Sequence, residues 1–230
     1  MAKKIAILQS NYIPWKGYFD LIQMVDVFVL YDNVQYTKDD WRNRNKIKTP
    51  NGTQWLSIPV RKESLSQLIQ DTKVVNNKWR KKHWKTLLQN YSKAKNFKSF
   101  RDSFEQLYLE HNEEFLSEIN LKFIRRINDI IGIKTKISWG SDFNCEGNKI
   151  ERLIAICEQA GADEYISGPA AKNYINPDMF EEARIKLSWI DYNGYPEYNQ
   201  LFLPFIHEVS ILDLIFNEGQ NATNYMKSFQ

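Results

Sequence analysis

Four stretches of this chain mix amides, rings and cations in patterns that suit the binding of a ligand. The first is Gln9-Ser10-Asn11-Tyr12-Ile13-Pro14-Trp15-Lys16-Gly17-Tyr18. Amide side chains set among Tyr12, Trp15 and Tyr18 fit a crevice better than a core. Gly17 lets the first turn of a helix approach a ligand, and the free N–H groups of that terminus, with Lys16, favour an anion. The second is Asp32-Asn33-Val34-Gln35 followed by Trp41-Arg42-Asn43-Arg44-Asn45. Arg42 and Arg44 offer planar donors for phosphate or carboxylate, and Trp41 a face for a base or sugar. In the third, Ile166 to Ile175, Ser167 and Gly168 close a strand ahead of Lys172 and Tyr174, which suits a phosphate cradle. The fourth, Asp191 to Gln200, carries Tyr192, Tyr195 and Tyr198 and reads as a carbohydrate- or ring-binding loop. Each has a plain alternative: a packed strand-to-helix turn, solvated charge, a simple Gly-Pro turn, a structural tyrosine corner.

Proton transfer falls to Asp32, His83 or Asp191. His83 follows Trp79 by one helical turn and serves as a base if its helix folds over the crevice; otherwise it is a packed ring. His111 reads as surface, and His207 as a hydrogen-bond partner for the start of the last helix. The three histidines show neither Ser-His-Asp order nor metal-ligand spacing, and Cys145 and Cys157 have none either, so no metal site is expected.

Hydrophobic periodicity supplies the elements that must position these groups. Lys4–Leu8 predicts a buried strand, residues 17–24 a helix with Tyr18, Leu21, Ile22 and Val25 on one face, and residues 26–32 a second strand. That βαβ unit sets Gln9–Trp15 opposite Asp32–Gln35 across a crevice at the strands' carboxyl ends. Trp41 to Val60 predicts a hairpin turning on Asn51-Gly52. Residues 77–131 read as a helical insert or cap, after which strands at 135–139, 164–167 and 185–190 alternate with a helix at 149–160. A last helix near 210–217 stops at Gly219. The expectation is one α/β domain over 1–230, Rossmann-like, with a mostly parallel sheet, a β-hairpin and the helical insert.

At 230 residues the chain suits one domain. Its net charge of +3 argues against general nucleic-acid binding, while 14% aromatic residues exceeds what a core requires. No apolar run reaches the roughly 18 residues that span a bilayer. The opening MAKKIAIL enters a strand directly, and with only two cysteines this predicts a cytoplasmic protein with its thiols reduced.

Taken together, Gln9-x-Asn11-Tyr12-x-Pro14-Trp15-x-Gly17-Tyr18-Phe19, Asp32-Asn33-Val34-Gln35-Tyr36, Trp41-x-Asn43-Arg44, Trp55 to Val60, Trp79 to His83, Ile166-Ser167-Gly168-Pro169 and the segment from Phe205 to Gly219 resemble the bacterial WbqC-like family over essentially the whole chain. Members of that family lie among genes for surface polysaccharide and O-antigen assembly, and some are described as glycine or acyl transferases acting on amino sugars. The resemblance therefore implies a transferase of lipopolysaccharide biosynthesis, with a nucleotide-linked amino sugar and an acyl or aminoacyl donor as partners. A tRNA donor is the one route to nucleic acid, through the basic run from Lys78 to Lys82. More distantly, Trp15-x-Gly17-Tyr18 is similar to the His-x-Gly-His turn with which nucleotidylyltransferases grip ATP. Both histidines are replaced here, so whether ATP is a cofactor stays open. A module that binds a sugar nucleotide or a partner enzyme without catalysis is the rival expectation.

Overall fold

The computed structural model describes residues 2–110 and 112–230, so the expectation for His111 lies outside the described residues. Five strands form a parallel sheet: β1 (Lys4–Leu8), β2 (Val27–Leu30), β5 (Lys136–Trp139), β6 (Glu164–Ser167) and β7 (Lys186–Trp189), in the order β5-β2-β1-β6-β7. A separate antiparallel pair, β3 (Arg44–Thr49) and β4 (Gly52–Ser57), makes the hairpin. The helices are α1 (Lys16–Gln23), α2 (Lys78–Tyr91), α3 (Phe97–Leu109), α4 (Leu116–Ile131), α5 (Lys149–Gln159), α6 (Pro177–Glu182) and α7 (Ile211–Glu218), with short 3-10 turns after β5, β6 and α7.

Side-chain alternation builds the layers. In β1, Ile5 and Ile7 enter a core shared with α5 and α6, while Ala6 enters a larger core with α1, the hairpin, α2–α4 and α7. Val27 and Val29 against Phe28 and Leu30 repeat that division in β2, as strands buried on both faces require. The expected helical insert is thus three helices packed into the larger core: Trp84, Leu87, Phe104, Phe123 and Ile127 are all buried there.

Two local expectations change. The hairpin turns on Pro50-Asn51, since Thr49 pairs with Gly52. Proline's fixed φ excludes a primed turn at that corner, and Gly52 alone takes the positive angle, φ +105°. The crevice also moves. From β1 the chain builds outward to β2 and β5 on one side, and β6 and β7 fill the other, so the strand order reverses between β1 and β6. Residues 32–36 are instead covered by the segment just before α2: Gln70 donates its backbone N–H to Asp32, Ile69 to Val34, and Tyr36 to Gln67.

Candidate functional site

The connection from β1 to α1 is bent and held from three sides. Ile13 sits at φ +38°, a conformation that a β-branched residue adopts only under constraint. Asn45 of β3 donates to the carbonyls of Tyr12 and Ile13 at 3.1 and 3.0 Å, Tyr12 N–H donates to Trp41 at 3.0 Å, and Ile211 N–H donates to Pro14 at 2.9 Å. These ties bring the first turn, the hairpin and the start of α7 around one hollow.

That hollow is a cavity of about 630 Å³ lined by Asn11, Pro14, Trp15, Trp41 and Asn45 on one side and by Tyr192, Asn193, Gly194, Tyr195, His207 and Glu208 on the other. Its size lies in the ordinary range for small-molecule sites, roughly 300–1,000 Å³. Rings dominate the wall: the Trp15 centroid lies 5.1 Å from Tyr192 and 5.6 Å from Tyr195, both edge-on. Gly17 is buried for the sake of this wall. A Cβ there would meet Trp15 Cζ2 at 2.4 Å, so its hydrogen makes room for the indole, where the sequence suggested room for a ligand.

Asn11 is oriented by Arg42. The guanidinium only donates, so Asn11 Oδ1 must face its Nη1, and the Asn11 amide N–H groups are left for the cavity. Arg42 also donates to Gln9 Oε1 at 3.2 Å and pairs with Asp40 at 3.4 Å. Beneath this fork, Asp32 is 1% exposed and takes the Ser10 N–H at 2.7 Å. Burial raises its pKa, and hydrogen bonding from Ser10 opposes the rise. Asn120 ties the Ser10 hydroxyl to the Arg42 carbonyl, 2.9 Å to each. Asp32 therefore holds the Gln9–Asn11 turn in place and is not part of the lining.

The other two expected bases are also outside the lining. His83 is 3% exposed, with Nε2 3.2 Å from the Ser57 carbonyl and Nδ1 3.0 Å from the Tyr12 hydroxyl. A carbonyl only accepts, so Nε2 carries the proton, Tyr12 donates to Nδ1, and Tyr108 donates to Tyr12 at 2.7 Å. Burial lowers the His83 pKa to about 4. This is a neutral core histidine, and α2 carries it into the interior. Asp191 is exposed, accepts the backbone and side-chain N–H groups of Asn193 at 3.0 and 2.7 Å, and pairs with Lys227 at 3.6 Å. Those Asn193 hydrogen bonds, aided by Lys227, lower its pKa, which makes it a weak base.

Several expected binding residues are structural. Lys16 is 3% exposed, donates to the Pro196 carbonyl at 3.0 Å and lies over the Tyr195 and Tyr198 rings; burial lowers its pKa to about 8. Tyr12 and Tyr18 are core rings, and Tyr18 donates to the Gln9 carbonyl. Asn43 is buried and donates to Ile58, while exposed Gln35 donates to Leu65. Tyr198 donates to the buried Asp213 at 2.7 Å, beside Tyr91 at 2.9 Å and Gln200 at 2.9 Å. Gln200 also bonds both backbone groups of Ile206, which fixes the residue before His207. Ser167 is buried against the Tyr165 hydroxyl, and Gly168 starts the 3-10 turn that follows β6. Lys172 and Tyr174, exposed beside that turn, meet Trp189 and Lys149 and stay out of the cavity lining. Arg44 stands on the hairpin, its guanidinium 4.4 Å from the Trp55 ring centre.

Trp41 and Trp15, with Asn11, are thus the expected ligand residues that the fold places in the cavity wall. His207 and Glu208 join the wall from outside the four stretches, Asn45 comes from the amides that flank the two arginines, and of the fourth stretch Tyr192, Asn193, Gly194 and Tyr195 form the wall where Asp191 and Tyr198 do not. The tyrosine-rich loop after a strand was the available signal for the latter. Nothing local marks His207, which reaches the site only through the return of the chain ahead of α7. Among the described residues no group of three or more His, Cys, Asp or Glu is placed to hold a metal ion, and no helix is long and apolar enough to cross a membrane.

An uncharacterized protein of Mycobacterium tuberculosis is 46% identical over 226 residues, covering 98% of each chain. No solved structure matches. The family model described as "WbqC-like protein family" matches residues 9–225, which include every lining residue of the cavity. The chain belongs to the WbqC-like protein family.

Proposed function

We propose that this protein transfers an acyl or aminoacyl group, glycyl among them, to the amine of a nucleotide-linked amino sugar in surface polysaccharide biosynthesis. The observation that carries this reading is the ring-walled cavity with an imidazole in its lining. Sugar rings present C–H faces that pack on indole and phenol faces, and Trp15, Trp41, Tyr192 and Tyr195 supply such faces. Asn193 and Glu208 supply polar groups for hydroxyls.

In this reading His207 takes the proton of the attacking amine. The amine nitrogen bonds to the acyl carbon of an activated ester or thioester, the bond from that carbon to its leaving group breaks, and the proton passes from His207 to the leaving group. The Asn11 N–H groups, oriented by Arg42, stabilise the negative charge on the acyl oxygen. A positioned base of this kind is worth roughly 10²–10⁴ in rate.

The test is incubation of purified protein with an amino-sugar nucleotide, glycine or an acyl donor, with and without ATP, followed by mass spectrometry of the sugar nucleotide. The expected result is a mass gain that His207→Gln lowers at least 100-fold. Binding of the sugar nucleotide with no mass gain from any donor would instead make the protein a non-catalytic holder of its ligand.

A further inference from the structure

Beside the cavity, the hairpin carries a second cluster of rings and cations. Trp41 and Trp55 are 41% and 40% exposed, unusual for large rings on a hairpin surface, and their centroids lie 5.3 Å apart at 40°. The Arg44 guanidinium sits 4.4 Å and Lys46 Nζ 5.2 Å from the Trp55 ring centre. Register explains the grouping: Lys46 pairs directly with Trp55 and Arg44 with Ser57, so alternate β3 residues bring both cations to the Trp55 face of the ribbon. Arg44 pairs with the exposed Asp39 carboxylate at 3.6 Å, a contact weak in water, and also donates to the Asp39 backbone carbonyl, which fixes the guanidinium beside Trp55. Among the described residues Lys46 has no carboxylate within ion-pair distance.

Trp41 belongs both to this cluster and to the cavity wall, so the two sites are continuous. We infer that the hairpin binds the nucleoside diphosphate of the substrate, its base stacked on the Trp41–Trp55 pair and its phosphates met by Lys46 and Arg44, while the attached ring enters the cavity. Indole faces accept any base, and two cations on one face of the ribbon put positive charge beside the rings for a diphosphate. This deepens the transferase reading and rests on it for the place of the sugar.

The test is titration of wild-type protein, Lys46→Ala, Trp55→Ala and Trp55→Phe with uridine diphosphate, guanosine diphosphate, the two nucleosides, free glucosamine and a single-stranded oligoribonucleotide, read by calorimetry. Thermal unfolding of each variant checks its fold. The expected pattern is a diphosphate bound at least 10-fold more tightly than its nucleoside, weakened at least 10-fold by either alanine and largely restored by phenylalanine, with glucosamine affinity equal in all four proteins. The inference is overturned if neither diphosphate binds, if both alanine variants bind it undiminished, or if a single-stranded oligoribonucleotide binds the same tryptophans more tightly than either diphosphate. Should this binding pattern appear in a protein that transfers nothing, the transferase reading falls and the hairpin site stands. Should transfer proceed with the KM for sugar nucleotide unmoved in both alanine variants, the hairpin site falls and the transferase reading stands.

Discussion

Lowering the pH from 7.5 to 5 is expected to cost the folded state roughly 2 kcal/mol through His83 alone. In the folded chain His83 accepts from Tyr12 and donates to Ser57, and burial lowers its pKa to about 4 from an ordinary 6.5. Between those values the unfolded chain binds a proton that the folded chain refuses, so stability falls as the pH falls. The loss begins near 6.5 and reaches about 3 kcal/mol below 4, since each pKa unit is worth about 1.4 kcal/mol. The assay is urea unfolding followed by tryptophan fluorescence at pH 7.5 and pH 5, for wild type and His83→Gln. Glutamine keeps an amide donor and acceptor but does not titrate, so the variant should be less stable at pH 7.5 and lose about 2 kcal/mol less than wild type between the two pH values. If wild type and variant lose stability in parallel, the imidazole is not the titrating group and burial does not lower its pKa as described. The same variant separates two roles: a core histidine changes stability and leaves the pH profile of turnover in place, whereas a base would take the profile's limb with it.

Two further perturbations follow from packing. Gly17→Ala places a methyl 2.4 Å from the Trp15 ring, so the indole must leave the cavity wall; a loss of about 1–3 kcal/mol in denaturant unfolding and weaker ligand binding are expected, and unchanged affinity would contradict the role given to Gly17. Asp213→Ala leaves the Tyr91 and Tyr198 hydroxyls and the Gln200 amide without their shared acceptor, for an expected loss of at least ~3 kcal/mol. A chemical shift change at His207 should accompany it, because Gln200 anchors Ile206; stability within 1 kcal/mol of wild type, in the sense of an ordinary surface change, would show the network to be incidental.

Much of the framework was legible in the chain's own pattern. Continuous apolar runs at Lys4–Leu8 and Val27–Leu30 give strands buried on both faces, and the stripes through Trp84, Leu87 and Leu116 to Ile131 give helices, because burial selects a period of two or 3.6 residues wherever it occurs. The stop of α7 at Gly219 is similarly local. Motif content also carried the family resemblance, since its residues are spread along the chain at set spacings.

Which of those residues meet was settled only by the tertiary structure. Strand order places the reversal between β1 and β6, and a chain read linearly holds no record of which edge β6 joins. Asp32, Lys16 and His83 have the right chemistry for a site, yet burial and hydrogen bonding turn them into supports. His207 becomes a cavity residue because Gln200 grips Ile206 and the backbone of α7 docks onto Pro14 and Lys46, contacts spanning up to 197 positions of sequence. Side-chain type sets what chemistry a residue can perform. Desolvation and contact, which depend on the whole fold, decide whether it is free to perform it.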